Sequence, residues 1–258
     1  MKQFLFFCYL ILLTALLPES AARAAGQSMG RLIQSTTFEE DYQALVYLGL
    51  TETPVSGEEN PKQAFENVRC SAVRIFGNGY YGSGSIYELR EDEIIIATNR
   101  HVLRDFDEES YVTFSNGRCE GGRVIGCAKK ADVGFLSVPT GNIPCEELLG
   151  FRNVRRRQEA YEEAEKNTGF FMIDLTGDAH GEAYLEGKVL DKRKYLTDYD
   201  MEMLYGDCRA LPGMSGSGIF DFCGNYIGML SGGTNQGEIA GVPLPEIERE
   251  YRLLVCGN

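Results

Sequence analysis

The sequence offers two histidines, His101 and His180, as the base of a hydrolytic reaction near neutral pH. His101 follows the apolar run IIIAT (94–98), so it stands where a buried strand passes into a turn. His180 lies in the polar segment TGDAHG (176–181) without apolar residues on either side, which is typical of a surface loop. His101 is therefore the candidate base.

A candidate nucleophile, Ser215, lies between glycines in the segment LPGMSGSGIF (211–220), and an apolar strand follows it. Gly213 and Gly216 allow a tight turn that leaves backbone amides exposed near the hydroxyl. A glycine-rich loop by itself usually indicates only a turn. With a base and a carboxylate nearby, it can supply a nucleophile and donors for an oxyanion.

The candidate carboxylate is Asp132, which opens the apolar run ADVGFL (131–136). Asp132 could simply cap this strand, and His101 could fill the edge of a core. Taken together, a histidine that closes one strand, an acid that opens another and a serine in a glycine loop favour a catalytic triad.

Composition predicts the β-rich scaffold that would position these residues. The chain has 258 residues, 43% of them apolar and 30 of them glycine, which excludes disorder and disfavours a helical bundle. Short β-type runs follow one another, as in barrels or sandwiches: 70–76, 84–89, 93–98, 111–114, 123–127, 133–138, 169–174, 187–190, 218–220, 226–230 and 239–243. Helices are predicted over 36–48, within 144–167 and over 245–254, the last as a single terminal helix that leaves no room for another domain.

The charge disfavours nucleic acid as a partner, because the net charge is −13 and phosphates would be repelled. The basic run 155–157 is followed by glutamates at helical spacing, so we interpret it as a solvated helix face.

The first 24 residues have the order of a signal peptide: Lys2, an apolar run over 4–17 and an Ala-x-Ala site at Ala22–Ala24. We expect export, a secreted or periplasmic location and no stable membrane association after cleavage. An uncleaved anchor is the alternative. Residues 25–67 form an N-terminal extension, either a pro-segment or a wrapper, ahead of a main domain over 68–258.

Seven cysteines remain after cleavage, and outside the cytosol such residues can form disulfide bonds. No pair has C-x-x-C spacing and histidine is scarce, so we expect no metal site. The acidic loop 105–109 lacks a calcium-ligand pattern, and no nucleotide or haem motif occurs, so no cofactor is expected.

The segments TNRHV (98–102), ADVGFL (131–136) and GMSGSG (213–218) resemble the three signature segments of chymotrypsin-like serine proteases, in that family's order. The exported bacterial branch, including glutamyl endopeptidases and Deg-type proteases, is the most similar, and the resemblance covers most of the mature chain. It implies an all-β fold of two six-stranded antiparallel barrels with the triad between them. It further implies that His101 is the general base, that Asp132 orients it and that Ser215 forms the acyl-enzyme.

The same resemblance implies further site residues. The amides of Gly213 and Ser215 would bind the oxyanion, and the segment Ser231, Gly232 and Gly233 would pair with substrate backbone. Gly241 would lie in the strand that closes the primary specificity pocket.

The sequence departs from the pancreatic proteases at Met214, where they have an aspartate that binds a freed amino terminus. Activation by that ion pair is therefore not expected here. Asp207 could select a basic substrate side chain, or Arg209 an acidic one, and either could be a solvated loop charge.

The expected function is an exported serine endopeptidase that cleaves protein or peptide substrates. Two alternatives are a catalytically silent binding module that keeps the fold, and a latent zymogen held by residues 25–67. The natural substrate, the preferred cleavage residue and the oligomeric state stay open at this level.

Overall fold

The computed structural model describes residues 37–104, 106–177 and 183–257. The predicted signal peptide (1–24) and His180 lie outside these residues. Within them, the strands come in two uninterrupted runs, with short helices before, between and after these runs, and every ladder between named strands is antiparallel. No helix in the described ranges is long and apolar enough to cross a membrane.

The amino-terminal half is a curled sheet of seven strands in the order β5-β4-β1-β2-β3-β7-β6. The strands are β1 (Ala72–Gly77), β2 (Tyr80–Leu89), β3 (Glu93–Thr98), β4 (Tyr111–Phe114), β5 (Cys119–Gly121), β6 (Arg123–Cys127) and β7 (Gly134–Pro139). The two edge strands, β5 and β6, follow each other in the chain with only Gly122 between them. The sheet therefore curls, because a single residue joins its two edge strands. The prediction of six strands here missed β5, whose three residues show no apolar run.

The carboxy-terminal half is a closed six-stranded barrel in the order β10-β13-β12-β11-β8-β9. Its strands are β8 (Gly169–Asp174), β9 (Ala183–Leu196), β10 (Met201–Asp207), β11 (Gly218–Asp221), β12 (Tyr226–Gly233) and β13 (Glu238–Pro243). The predicted mostly-β architecture of two packed halves is confirmed. β10 was not predicted, because acidic residues interrupt its apolar pattern.

Strand β3 separates two hydrophobic cores. Its residues Ile94 and Ile96 pack in the core of the first sheet, whereas Ile95 and Ala97 join the larger core shared with the second barrel. A strand buried on both faces is apolar throughout, which explains its uninterrupted run. His101, three residues after the end of this strand, is thereby placed where the two halves meet.

The segment before the first strand contacts both halves. Helix α1 (Phe38–Tyr47) begins with a capping box between Thr37 and Glu40, as the acids near its start predict. Its Tyr42 is buried in the first core and donates a hydrogen bond to the Arg90 carbonyl (2.6 Å). Helix α2 (Pro61–Val68), which was not predicted, buries Ala64 and Val68 in the other core.

The predicted central insertion contains two short helices, α3 (Cys145–Leu148) and α4 (Gln158–Glu163), and the chain ends in α5 (Leu244–Leu254). In this insertion the Arg156 guanidinium lies over the Tyr87 ring (4.3 Å) and pairs with Glu248 of α5 (3.2 Å).

The predicted disulfide bonds are not formed among the described residues. The sulfur atoms have other neighbours: Cys119 Sγ lies 3.2 Å from the Thr113 hydroxyl, and Cys208 Sγ lies 3.5 Å from the Glu186 carbonyl oxygen.

Candidate active site

His101 and Asp132, which are 31 residues apart in the sequence, are in direct contact. His101 Nδ1 lies 2.7 Å from Asp132 Oδ2, and the His101 backbone amide donates to Asp132 Oδ1 (3.1 Å). The imidazole side chain is 40% exposed, whereas the carboxylate is only 12% exposed. A buried carboxylate therefore fixes the ring by Nδ1 and leaves the other ring nitrogen for proton transfer.

The Asp132 carboxylate is held in its charged form. Desolvation by burial acts to raise its pKa, but hydrogen bonds from His101 and Ser231 outweigh this effect and keep the pKa of Asp132 below its ordinary value. Ser231 Oγ donates to Asp132 Oδ2 at 2.5 Å. Because Ser231 belongs to β12 of the second barrel, this contact ties the acid of one half to a strand of the other.

The loop of Ser215, the candidate nucleophile, is held between the two halves; we call it the nucleophile loop. On one side, the Ser83 amide of β2 donates to the Ser215 carbonyl (2.8 Å) and the Ser83 hydroxyl donates to the Gly213 carbonyl (2.9 Å). On the other side, the Gly216 amide donates to the Leu230 carbonyl of β12 (2.9 Å). The hydroxyl of Thr98, three residues before His101, also donates to the Ser83 carbonyl (2.6 Å). Ser83 thus connects the strand that leads to the histidine with the serine loop.

Backbone conformation in this loop requires glycine. Gly213 and Gly216 have φ values of 95° and 92°, in the left-handed region. A Cβ on Gly216 would lie 1.9 Å from the Ser83 carbonyl oxygen, so no side chain fits. Among the described residues, the amides of Gly213 and Ser215 donate to no protein acceptor. An oxyanion site needs unpaired backbone donors near the serine, and these two amides, on Ser215 itself and two residues before it, are candidates.

Met214 is fully buried and its sulfur accepts a hydrogen bond from the Leu211 amide (3.3 Å). The loop is therefore anchored by an apolar side chain packed in the core, where pancreatic proteases use an ion pair.

The predicted substrate-pairing residues end β12, beside Asp132. Ser231 is buried, Gly232 is half-buried and Gly233 is exposed, so the strand emerges from the barrel along this segment. Tyr199, in the turn between β9 and β10, covers Gly232: its hydroxyl lies 2.6 Å from the position that a Cβ would take there. Gly241 of β13 is buried, and its α-carbon faces Ile219 inside the barrel.

The two charges considered for substrate selection have different surroundings. Asp207 pairs with Lys188 (3.5 Å), and both side chains are about half exposed. Arg209 is exposed, while its neighbour Ala210 lies 2.8 Å from the position of a Cβ on Gly233. The side chain nearest to Gly233, the last residue of β12, is therefore small and uncharged, and the charge of Asp207 is offset by a lysine.

Sequence reasoning missed the residues that connect the triad segments, namely Ser83, Thr98 and Asn99. Asn99 donates from its side-chain amide to the Asp132 carbonyl (3.0 Å). Their signal was present in the segments themselves, since buried hydroxyl and amide groups must find partners. Which partner each one takes follows only from the fold. In the described part of the chain, no group of three or more His, Cys, Asp or Glu residues is arranged to hold a metal ion.

Comparisons with known proteins identify a family and a fold for the chain. The chain is 26% identical over 176 residues to a serine protease HtrA-like protein of Staphylococcus aureus (strain bovine RF122 / ET3-1), an alignment that covers 65% of this chain and 21% of that protein. This chain thus spans about a fifth of the length of that relative.

Two solved structures share the fold. The HtrA-type protease AlgW with a tripeptide has a TM-score of 0.64 at 18% identity, covering 77% of this chain and 65% of its own. Deg5 has a TM-score of 0.61 at 18% identity, covering 76% of this chain and 94% of its own.

The profile of the trypsin-like peptidase domain matches residues 82–229, more than half of the chain. That span contains His101, Asp132 and Ser215 as well as Ser83, which joins the segments. The chain belongs to the trypsin-like peptidase family.

Proposed function

We propose that this protein is an exported serine endopeptidase that cleaves peptide bonds through an acyl-enzyme on Ser215. The observation that carries the proposal is the buried, ionised Asp132 bound to the His101 ring, beside a serine loop with two free amides. Peptide substrates are supported by family membership and by the tripeptide bound to the structurally similar AlgW.

In the first half-reaction, Ser215 Oγ attacks the carbonyl carbon of the scissile bond while His101 Nε2 takes the hydroxyl proton. The carbonyl oxygen becomes negatively charged and accepts hydrogen bonds from the amides of Gly213 and Ser215. The C–N bond then breaks, and the imidazolium returns the proton to the leaving amine. Asp132 stays ionised throughout and stabilises the charged ring.

In the second half-reaction, water attacks the ester on Ser215 and gives its proton to His101. The ester C–O bond breaks, the Ser215 oxygen regains the proton, and the carboxylic acid leaves. All groups return to their initial state, so no cofactor is consumed.

The direct test is labelling with a fluorophosphonate, which phosphonylates only an activated serine. We expect the wild type to be labelled and Ser215→Ala to be spared, with Ser217→Ala as a matched control because Ser217 is buried two residues away and donates to the Ile173 carbonyl. Equal labelling of wild type and Ser215→Ala would rule out the proposal. A wild type that is never labelled would favour a silent binding module.

Export is proposed from the sequence of residues 1–24. Sequencing the amino terminus of the protein from culture medium or periplasm would give Ala25 as the first residue if cleavage follows Ala24.

A further inference from the structure

The outer face of the first sheet carries a row of aromatic side chains next to the nucleophile loop. Phe76 of β1 stacks on Tyr111 of β4 (ring centroids 4.9 Å apart) and contacts Tyr81 of β2 (5.0 Å). The guanidinium of Arg74 lies over the Tyr81 ring at 3.9 Å. We call these four residues the aromatic ledge.

Tyr81 is the exposed member of the aromatic ledge, and the other three residues are half-buried. Tyr81 is 48% exposed although its ring packs against Phe76 and under Arg74. Arg74 pairs with no carboxylate among the described residues, and its buried Nε has no hydrogen-bond partner. Aromatic and cation–π contacts hold the rings in place, so ordering them costs little when a ligand binds.

The ledge continues directly into the nucleophile loop. Side chains alternate along a strand, so Tyr81 and Ser83 of β2 lie on the same face of the sheet. The Ser83 hydroxyl bonds to Gly213, and its amide bonds to Ser215. The Tyr81 carbonyl oxygen is itself 3.8 Å from the position of a Cβ on Gly213. The exposed ring of Tyr81 is thus only two residues along β2 from Ser83, which contacts the loop of the proposed oxyanion site.

The direction of a bound substrate follows from the position of the loop between two strands. The loop contacts β2 through Ser83 on one side and β12 through Leu230 on the other. A substrate whose acyl half pairs along Ser231–Gly233, the continuation of β12, places its leaving half on the β2 side. That side is the aromatic ledge.

We propose that the aromatic ledge binds the substrate segment that follows the scissile bond and selects a large apolar side chain there. The inference rests on the proposed endopeptidase function and assigns part of its specificity. An apolar side chain would cover the exposed edge of Tyr81 and gain ring contacts, whereas a small polar one would leave that edge in water.

The test compares two peptides with the same cleavage site, one with Phe and one with Ser at the first two positions after the scissile bond. We expect the wild type to cleave the Phe peptide with at least fivefold higher kcat/KM. In Tyr81→Ala this preference should fall to less than twofold. Tyr195→Ala is the matched control, because Tyr195 is similarly exposed (58%) but lies on β9 of the other half.

Fluorophosphonate labelling separates the possible failures, since the probe has no peptide after the reacting atom. Equal labelling rates for wild type and Tyr81→Ala show that the variant is folded and the serine is active. With labelling intact, a wild type that does not prefer the Phe peptide, or a preference that survives Tyr81→Ala, overturns the ledge and leaves the endopeptidase proposal standing. If Tyr81→Ala loses labelling, the proposal is judged on the wild type alone. A fivefold or greater preference for the Phe peptide supports the proposal, and the lack of a preference overturns it. A wild type that neither labels nor cleaves overturns both.

Discussion

At the scale of single residues, Asp132 makes more contacts in the site than its role in the proposed triad requires. It accepts hydrogen bonds from the His101 ring, the His101 amide and the Ser231 hydroxyl. A buried carboxylate with three charge-assisted or short bonds is costly to replace, because each donor is left without its acceptor.

The lowered pKa of Asp132 makes its contribution to stability depend on pH. The ionised form stabilises the fold above the unfolded-state pKa of about 4, and the contribution disappears as pH falls through the lower pKa of the folded state. We expect the difference in unfolding free energy between wild type and Asp132→Asn to be larger at pH 7 than at pH 2.5, measured by urea titration. Parallel stability curves for the two proteins would contradict this.

The same variant tests the orientation of the ring. Asp132→Asn changes the partner of Nδ1 from a charge to a neutral amide, and we expect peptide turnover to fall on the order of 10³–10⁴-fold. Glu109→Gln, an exposed acid in the loop before β4, serves as the control for loss of one negative charge. A loss below tenfold would mean that the His101–Asp132 pair is structural.

At the scale of elements, the segment from α1 to α2 has the contacts of a wrapper. Phe65 of α2 packs edge-on against Phe171 (6.4 Å) and Tyr184 (5.7 Å) of the barrel, while Tyr42 of α1 lies in the other core. Between the helices, the Thr53 backbone amide donates a hydrogen bond to the Asn153 carbonyl (2.9 Å). These contacts favour the wrapper over a pro-segment in the cleft.

We expect Phe65→Ala to lower the free energy of unfolding by about 2–3 kcal/mol, because the ring is partly buried among other rings. The control is Tyr47→Ala on α1, which is 87% exposed and should change stability by less than about 0.5 kcal/mol. Thermal or urea unfolding measures both. Higher peptidase activity after removal of residues 25–67 would instead support the latent zymogen.

The elements that the sequence failed to predict have identifiable physical reasons. Helix α2 begins at Asn60 and Pro61, an N-cap followed by proline at the first turn, but its eight residues lie in a stretch whose turn-forming composition dominates. Strand β10 buries Met203 and Leu204 but also contains the acidic residues Glu202 and Asp207. Its pairing with neighbouring strands of the barrel therefore stabilises it more than its own hydrophobic pattern does.

At the scale of the whole molecule, the stability of the fold rests on its two cores, since the described cysteines form no disulfide bond. We expect the melting temperature to be the same with and without a thiol reductant. A lost disulfide costs about 2–5 kcal/mol, and for a chain of this size each kcal/mol shifts the midpoint by about 2–4 °C. A fall of 5 °C or more in reductant would show that bonds form during export.

The candidate positions His101, Asp132 and Ser215 could be selected from the sequence because each lies where an apolar run meets a turn, and the contact between His101 and Asp132 agrees with that selection. The links between them could not be predicted in this way. Ser83 is an ordinary residue of a serine- and glycine-rich strand in the sequence, and only the pairing of β2 with β1 and β3 shows that it faces the loop of Ser215. Such contacts are set by the pairing of strands that are distant in the sequence, and the hydrophobic periodicity of a single segment does not reveal them.

The position of the Ser215 loop between β2 and β12 also has a consequence for the order of events during folding. On the proposed mechanism, a chain in which only the first sheet has folded would hold the base His101 and the acid Asp132 but not the nucleophile Ser215, and the second barrel alone would lack the β2 contacts that shape the loop of Ser215. The proposed peptidase activity would therefore arise only after both halves have folded and packed against each other.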